Sequence, residues 1–172
     1  MKDLNTYILP YRILFFITIF VLCVNTSYSQ PSLPQRSITV TPVQAICFGT
    51  LAVNASSGTV SVDYSGSRFS SGGVTLLNMS PSAQPAIFEI KLCQGRNVII
   101  TYSATITLYG SNGGTLTMDI GPTEKGGYGS IFPTLSDCNF ITPLRVGGTL
   151  HIPANAVPGN YTGSFTITFN QE

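Results

Sequence analysis

The stretch TITLYGSNGGTLTMDI, Thr105 to Ile120, decides how the rest of the chain is read. Before the Ser-Asn-Gly-Gly break, Ile106 and Leu108 alternate with Thr107 and Tyr109. After it, Leu116, Met118 and Ile120 alternate with Thr117 and Asp119. A period of two puts apolar side chains on one face of a strand and polar ones on the other. Asn-Gly readily takes the positive φ angles of a type I′ turn. The stretch therefore predicts a β-hairpin with one face against a core.

The same period continues in both directions. VIITYSATITLYG, Val98 to Gly110, makes one long strand or two short ones. AIFEIKL, Ala86 to Leu92, is a clean strand with Phe88, Ile90 and Leu92 inward and Glu89 and Lys91 outward. Upstream lie VTLLN (Val74 to Asn78), TVSVDY (Thr59 to Tyr64), and a first strand, Ile38 to Leu51, broken near Pro42. ASSG before Thr59 predicts a turn, and SGSRFSSGG, Ser65 to Gly73, a loop. Downstream, Gly121 to Pro133 is a Gly-rich loop. PLRVGGTLHIP, Pro143 to Pro153, is a strand whose Gly147-Gly148 predicts a bulge or a close backbone approach. GNYTGSFTITFNQE predicts a terminal strand with Tyr161, Phe165, Ile167 and Phe169 on its core face. About eight short strands and no helical period predict an all-β fold: an immunoglobulin-like, two-sheet antiparallel β-sandwich forming one domain, 38–172.

The N-terminus reads differently. Lys2 and Arg12 precede the apolar run Ile13 to Val24, and Ser27-Tyr28-Ser29 supplies small residues at cleavage positions. The run is short for a bilayer span, so the expectation is a secretory signal helix, residues 1–29, cleaved after Ser29. Residues 30–37 are a flexible Pro-rich leader. The expected location is secreted, at the cell surface or in the periplasm. Cleavage removes Lys2, Arg12 and Asp3 from eight basic and seven acidic residues, leaving six of each. With no Lys/Arg cluster, nucleic acid and anionic membrane surfaces are excluded as partners.

Chemistry is sparse. His151 is the single histidine, and alternation puts it on the solvent face, opposite Leu150 and Ile152. The carboxylates Asp63, Glu89, Asp119, Glu124, Asp137 and Glu172 are scattered, with no paired acid and base and no run of oxygen ligands for calcium. The expectation is a non-enzyme with no cofactor and no metal. Glycan-binding sites favour exposed Trp and Tyr; Trp is absent, and Tyr128 in EKGGYGS is the best exposed aromatic. Three cysteines survive cleavage. An oxidising compartment predicts one bridge involving Cys93, with Cys47 or Cys138 as its partner.

CFGTL, GTVSVDYSGSR, SSGGVTLL, AIFEI, TLYGSNGGTLTM, VGGTLHI and PGNYTGSFTITFNQE, in that order, carry a resemblance. The chain resembles the bacterial secreted domain of unknown function 4402, in its Bacteroidetes-type members, over Ile38 to Glu172. That family has no established activity, so the resemblance implies a fold and an extracellular habitat. Phe48-Gly49, FEIKLC (Phe88 to Cys93) and Tyr161 are also similar to chaperone–usher pilins and spore-coat-U-type domains. This second likeness implies a sandwich completed by a strand from a neighbouring subunit. It also implies a Cys47–Cys93 bridge, with Gln30 to Gln44 as the candidate donor. The leading expectation is an exported structural or adhesive subunit assembling by strand pairing with copies of itself or related subunits. The alternative is a stand-alone secreted domain binding a glycan or surface protein through its Gly-rich loops.

Overall fold

Period-two alternation becomes eleven antiparallel strands in the computed structural model, which describes residues 37–93, 97–134 and 139–171. They are β1 (Ser37–Gln44), β2 (Leu51–Val62), β3 (Arg68–Leu76), β4 (Ala86–Cys93), β5 (Asn97–Tyr102) and β6 (Thr105–Gly110). Then follow β7 (Thr115–Thr123), β8 (Ile131–Pro133), β9 (Thr142–Ile152), β10 (Tyr161–Thr162) and β11 (Ile167–Gln171). No helix occurs among the described residues. The expected signal segment, 1–29, and nearly all of the leader lie outside them.

The strands form two sheets. The larger runs β1-β4-β9-β7-β6-β10, with β2 paired to β9 and β3 paired to β2. The smaller runs β11-β5-β8. Their facing residues make the core: Val60, Ile90, Val98, Ile100, Leu144 and Val146 are all fully buried. The all-β, two-sheet antiparallel reading therefore holds.

The long strand β9 organises the larger sheet. One edge pairs with β4 through Val146 and with β2 from Gly148 onward, while the other edge pairs with β7. The change of partner falls at Gly147. A β-carbon there would lie 2.5 Å from the carbonyl oxygen of Val62. The Gly-Gly pair thus marks a close backbone approach, because only a residue without a side chain lets three strands meet at this point.

Four local expectations are corrected. Arg68–Gly73 is strand, not loop: the chain reverses earlier, between Asp63 and Ser67. Asp63 Oδ1 accepts from the amides of Ser65 and Ser67, both at 2.8 Å, and from the Ser65 hydroxyl at 2.6 Å. One carboxylate thereby organises the turn. The ASSG segment is an irregularity inside β2, where the register shifts between Val53 and Gly58, rather than a strand-ending turn. At the Thr105–Ile120 hairpin the positive φ angles fall on Gly113 and Gly114. The terminal stretch is two strands, not one. Tyr161–Thr162 pair with β6 in the larger sheet, and Ile167–Gln171 pair with β5 in the smaller. Tyr161 packs at this corner, its hydroxyl donating to the Val157 carbonyl at 2.6 Å. A tyrosine bonded back to upstream backbone at such a corner is a recurrent device of immunoglobulin-like sandwiches.

Candidate functional site

The two ends of the described chain are strands paired on one side only, one in each sheet, and they meet the same residue of β4 at a seam between the sheets. β1 pairs only with β4, setting Ile38 against Leu92 and Val40 against Ile90. β11 pairs only with β5, setting Ile167 against Tyr102 and Phe169 against Ile100. Between them lies Phe88 of β4. Its backbone is opposite Pro42 of β1, and its ring centroid is 6.1 Å from Phe169 and 6.2 Å from Phe165. The second edges of β1 and β11 carry no strand among the described residues.

Burial is incomplete along these two strands. Ile90, Leu92 and Ile100 are buried, while Ile38, Val40, Phe165, Ile167 and Phe169 pack on the same core yet are only half-buried. An open strand edge presents a row of unpaired N–H and C=O groups and is a template for another strand. β1 and β11 each have one such edge, as do β3, β8 and β10, and the apolar side chains of β1 and β11 are only partly covered.

Of the residues singled out in the sequence, Phe165, Ile167 and Phe169 come together at this seam. Tyr161 does not: it belongs to the corner at β10. Within the candidate donor Gln30 to Gln44, Ser37–Gln44 already serve as β1 in their own fold; the remainder lies outside the described residues. Tyr128 is 67% exposed, and its ring is braced edge-on by Tyr102 with centroids 5.8 Å apart. Its loop is pinned rather than loose: the Thr123 hydroxyl donates to Gly126 O at 2.7 Å and the Gly129 amide to Ile100 O at 2.8 Å. Cys47 has a free thiol, so a Cys47–Cys93 bridge is not formed. The reason is placement. Cys47 sits beyond β1, where its backbone bridges Gln84, while Cys93 closes β4 opposite Ser37 at the far end of β1. Cys138 lies outside the described residues.

Sequence reading missed a polar arrangement on the outer face of the larger sheet. His151 does face outward, between buried Leu150 and Ile152. It is also paired: its Nε2 lies 2.7 Å from Asp119 Oδ2, and the Thr105 hydroxyl donates to Asp119 Oδ1 at 2.7 Å. Asp119 and His151 are diagonal neighbours on β7 and β9, a relation that requires the strand register to be known. The hydroxyl donor first, and the imidazole second, hold the Asp119 carboxyl below its ordinary range. Hydroxyls pair beside it, Ser61 with Thr149 at 2.9 Å and Thr59 with Ser71 at 2.7 Å. Among the described residues no cluster of His, Cys, Asp or Glu is arranged to hold a metal, and no helix is long and apolar enough to cross a membrane.

A family model described as Domain of unknown function (DUF4402) matches residues 38–170. No curated protein and no solved structure matches the chain.

Proposed function

The chain belongs to the family described as Domain of unknown function (DUF4402), and from that premise we propose that it is an exported, non-enzymatic structural or adhesive subunit that assembles by strand pairing between chains. The observation that carries this reading is the seam between β1 and β11. Both edges are unpaired, and the apolar residues along them are only half-buried. An extended segment laid along the free edge of β1 or of β11 would pair with its backbone and cover Ile38 and Val40 or Ile167 and Phe169. Each backbone hydrogen bond contributes roughly 0.5–1.5 kcal/mol net, and covered apolar surface adds about 25 cal/mol per Å². The pairing partner is a copy of this chain or a related subunit. Residues 30–36 alone make a poor insert, because Pro31 and Pro34 lack amide protons on opposite edges of a strand.

The test is the purified mature domain. Concentration-dependent oligomers and SDS-resistant ladders are expected, and Val40→Lys with Ile167→Lys should abolish them while leaving the far-UV spectrum intact. A wild-type domain that stays monomeric and cooperatively folded at every concentration overturns the reading.

In the same reading the domain is oxidised after export, with Cys93 bonded to Cys138. The free thiol of Cys47 favours this partner over the alternative. Non-reducing peptide mapping checks it. A second reading, glycan or protein binding through the Gly-rich loop, has the exposed, braced ring of Tyr128 in its favour. Loss of glycan-array binding on Tyr128→Ala would support it.

A further inference from the structure

Neither the seam nor Tyr128 accounts for the outer face of the larger sheet. The strand registers place its side chains in rows that run across the strands. One row is Phe69, Ser61, Thr149, Asp119 and Thr105, from β3 through β2, β9 and β7 to β6. The next is Ser71, Thr59, His151, Thr117 and Thr107 on the same strands. Beside it, Tyr109 stands between Thr115 and Thr162. Hydroxyl groups dominate both rows, and neither contains Lys or Arg. Two exposed rings bracket the array: Phe69, 60% exposed, at one end and Tyr109, 66% exposed, at the other. A shallow groove of about 420 Å³, lined by Thr59, Thr115, Thr117, His151 and Pro153, indents its middle.

We propose that this face binds a neutral polysaccharide lying across the strands between Phe69 and Tyr109. Ser and Thr hydroxyls each donate and accept, matching the dual hydrogen bonding of sugar hydroxyls. The apolar faces of sugar rings suit the two exposed aromatic rings. Strands lie about 4.8 Å apart, so β3 to β6 spans roughly 19 Å, room for several sugar units. The array is pre-ordered. His151 is held by Asp119, Asp119 by Thr105, and two hydroxyl pairs hold each other, so little side-chain freedom remains to be lost on binding. An acidic polymer fits poorly, since Asp119 sits centrally and no Lys or Arg stands in either row to offset it.

This inference is independent of strand pairing at the seam and uses residues on a different face. The test is electrophoresis of the purified mature chain through native gels containing galactomannan, xyloglucan or hydroxyethylcellulose, with alginate as the acidic comparison. Retardation by at least one neutral polymer and not by alginate is expected. Phe69→Thr and Tyr109→Thr keep a strand-forming residue at exposed sites, so the fold should hold, checked by an unchanged melting curve. Each should weaken retardation roughly three- to tenfold, the scale of one aromatic contact, and the double variant should remove it. Thr117→Val, which deletes one hydroxyl at constant shape, should also weaken it. Tyr128→Ala and Val40→Lys should leave it unchanged. The proposal is overturned if no neutral polymer retards the chain, if alginate retards it equally, if the double variant still binds, or if Tyr128→Ala alone removes binding.

Discussion

At Gly147, one absent methyl group decides where β9 exchanges β4 for β2. A β-carbon there would meet the Val62 carbonyl at 2.5 Å and Asp63 backbone at 3.1 Å, and backbone cannot swing aside as a side chain can. Gly147→Ala should therefore destabilise the fold by roughly 1–3 kcal/mol. Gly127, where an added β-carbon meets nothing within 4 Å, is the control and should change little. Urea midpoints of the two variants check this. Asp119 makes the second residue-scale prediction. Its carboxyl is held below the ordinary range, first by the Thr105 hydroxyl and then by His151. The folded chain thus binds that proton less well than the unfolded chain. The contribution is present above the unfolded carboxyl pKa of about 3.9 and is lost as pH falls through the lower folded value. Because the side chain is 49% exposed, the effect is screened and amounts to about 1 kcal/mol or less. Wild type should exceed Asp119→Asn at pH 7, with the gap closing toward pH 2 in urea titrations. A gap independent of pH would exclude this origin.

At the scale of elements, strands were legible wherever alternation was strict and both periods, apolar and polar, were present. β4 is the clearest case: Phe88, Ile90 and Leu92 turn inward as read, and Ile90 and Leu92 are buried. β3 was illegible over Arg68–Gly73 because four of those six residues are Ser or Gly, which turns also use. The terminal stretch kept its alternation through Phe165, so nothing local revealed that the chain leaves one sheet after Thr162 and joins the other at Ile167. The seam gives the element-scale prediction. Leu144 on β9 is fully buried, and Leu144→Ala should cost about 2–5 kcal/mol. Phe169 on β11 is half-buried, so Phe169→Ala should cost clearly less in the isolated chain. If the seam is filled on assembly, that cost should rise in the oligomer. Chemical denaturation below and above the assembly concentration measures both.

For the whole molecule, the seam and the hydroxyl face lie on different strands and call for separable variants. In the oxidised state proposed above, the cysteines contribute to the stability of the whole fold. A bridge from Cys93 to Cys138 closes a loop of roughly 45 residues and would stabilise the fold by about 4 kcal/mol on the chain-entropy account. Cys93→Ser should lower the melting temperature strongly, whereas Cys47→Ser, at a free thiol, should not. Equal losses from both would argue against the Cys138 pairing.

The sequence alone determined the fold class, the inward set of most strands, the presence of a bulge or close approach at Gly147-Gly148 and the outward aim of His151. All of these follow from a two-residue period or from a missing side chain, which are local properties of the chain. Only the tertiary structure decided which strands stand beside one another. Register between distant segments brought Asp119 to His151, aligned hydroxyls from five strands on one face, and left β1 and β11 among the strands paired on one side only. Those relations come from which apolar faces are buried together, and that is settled by the packing of the whole core rather than by any one stretch.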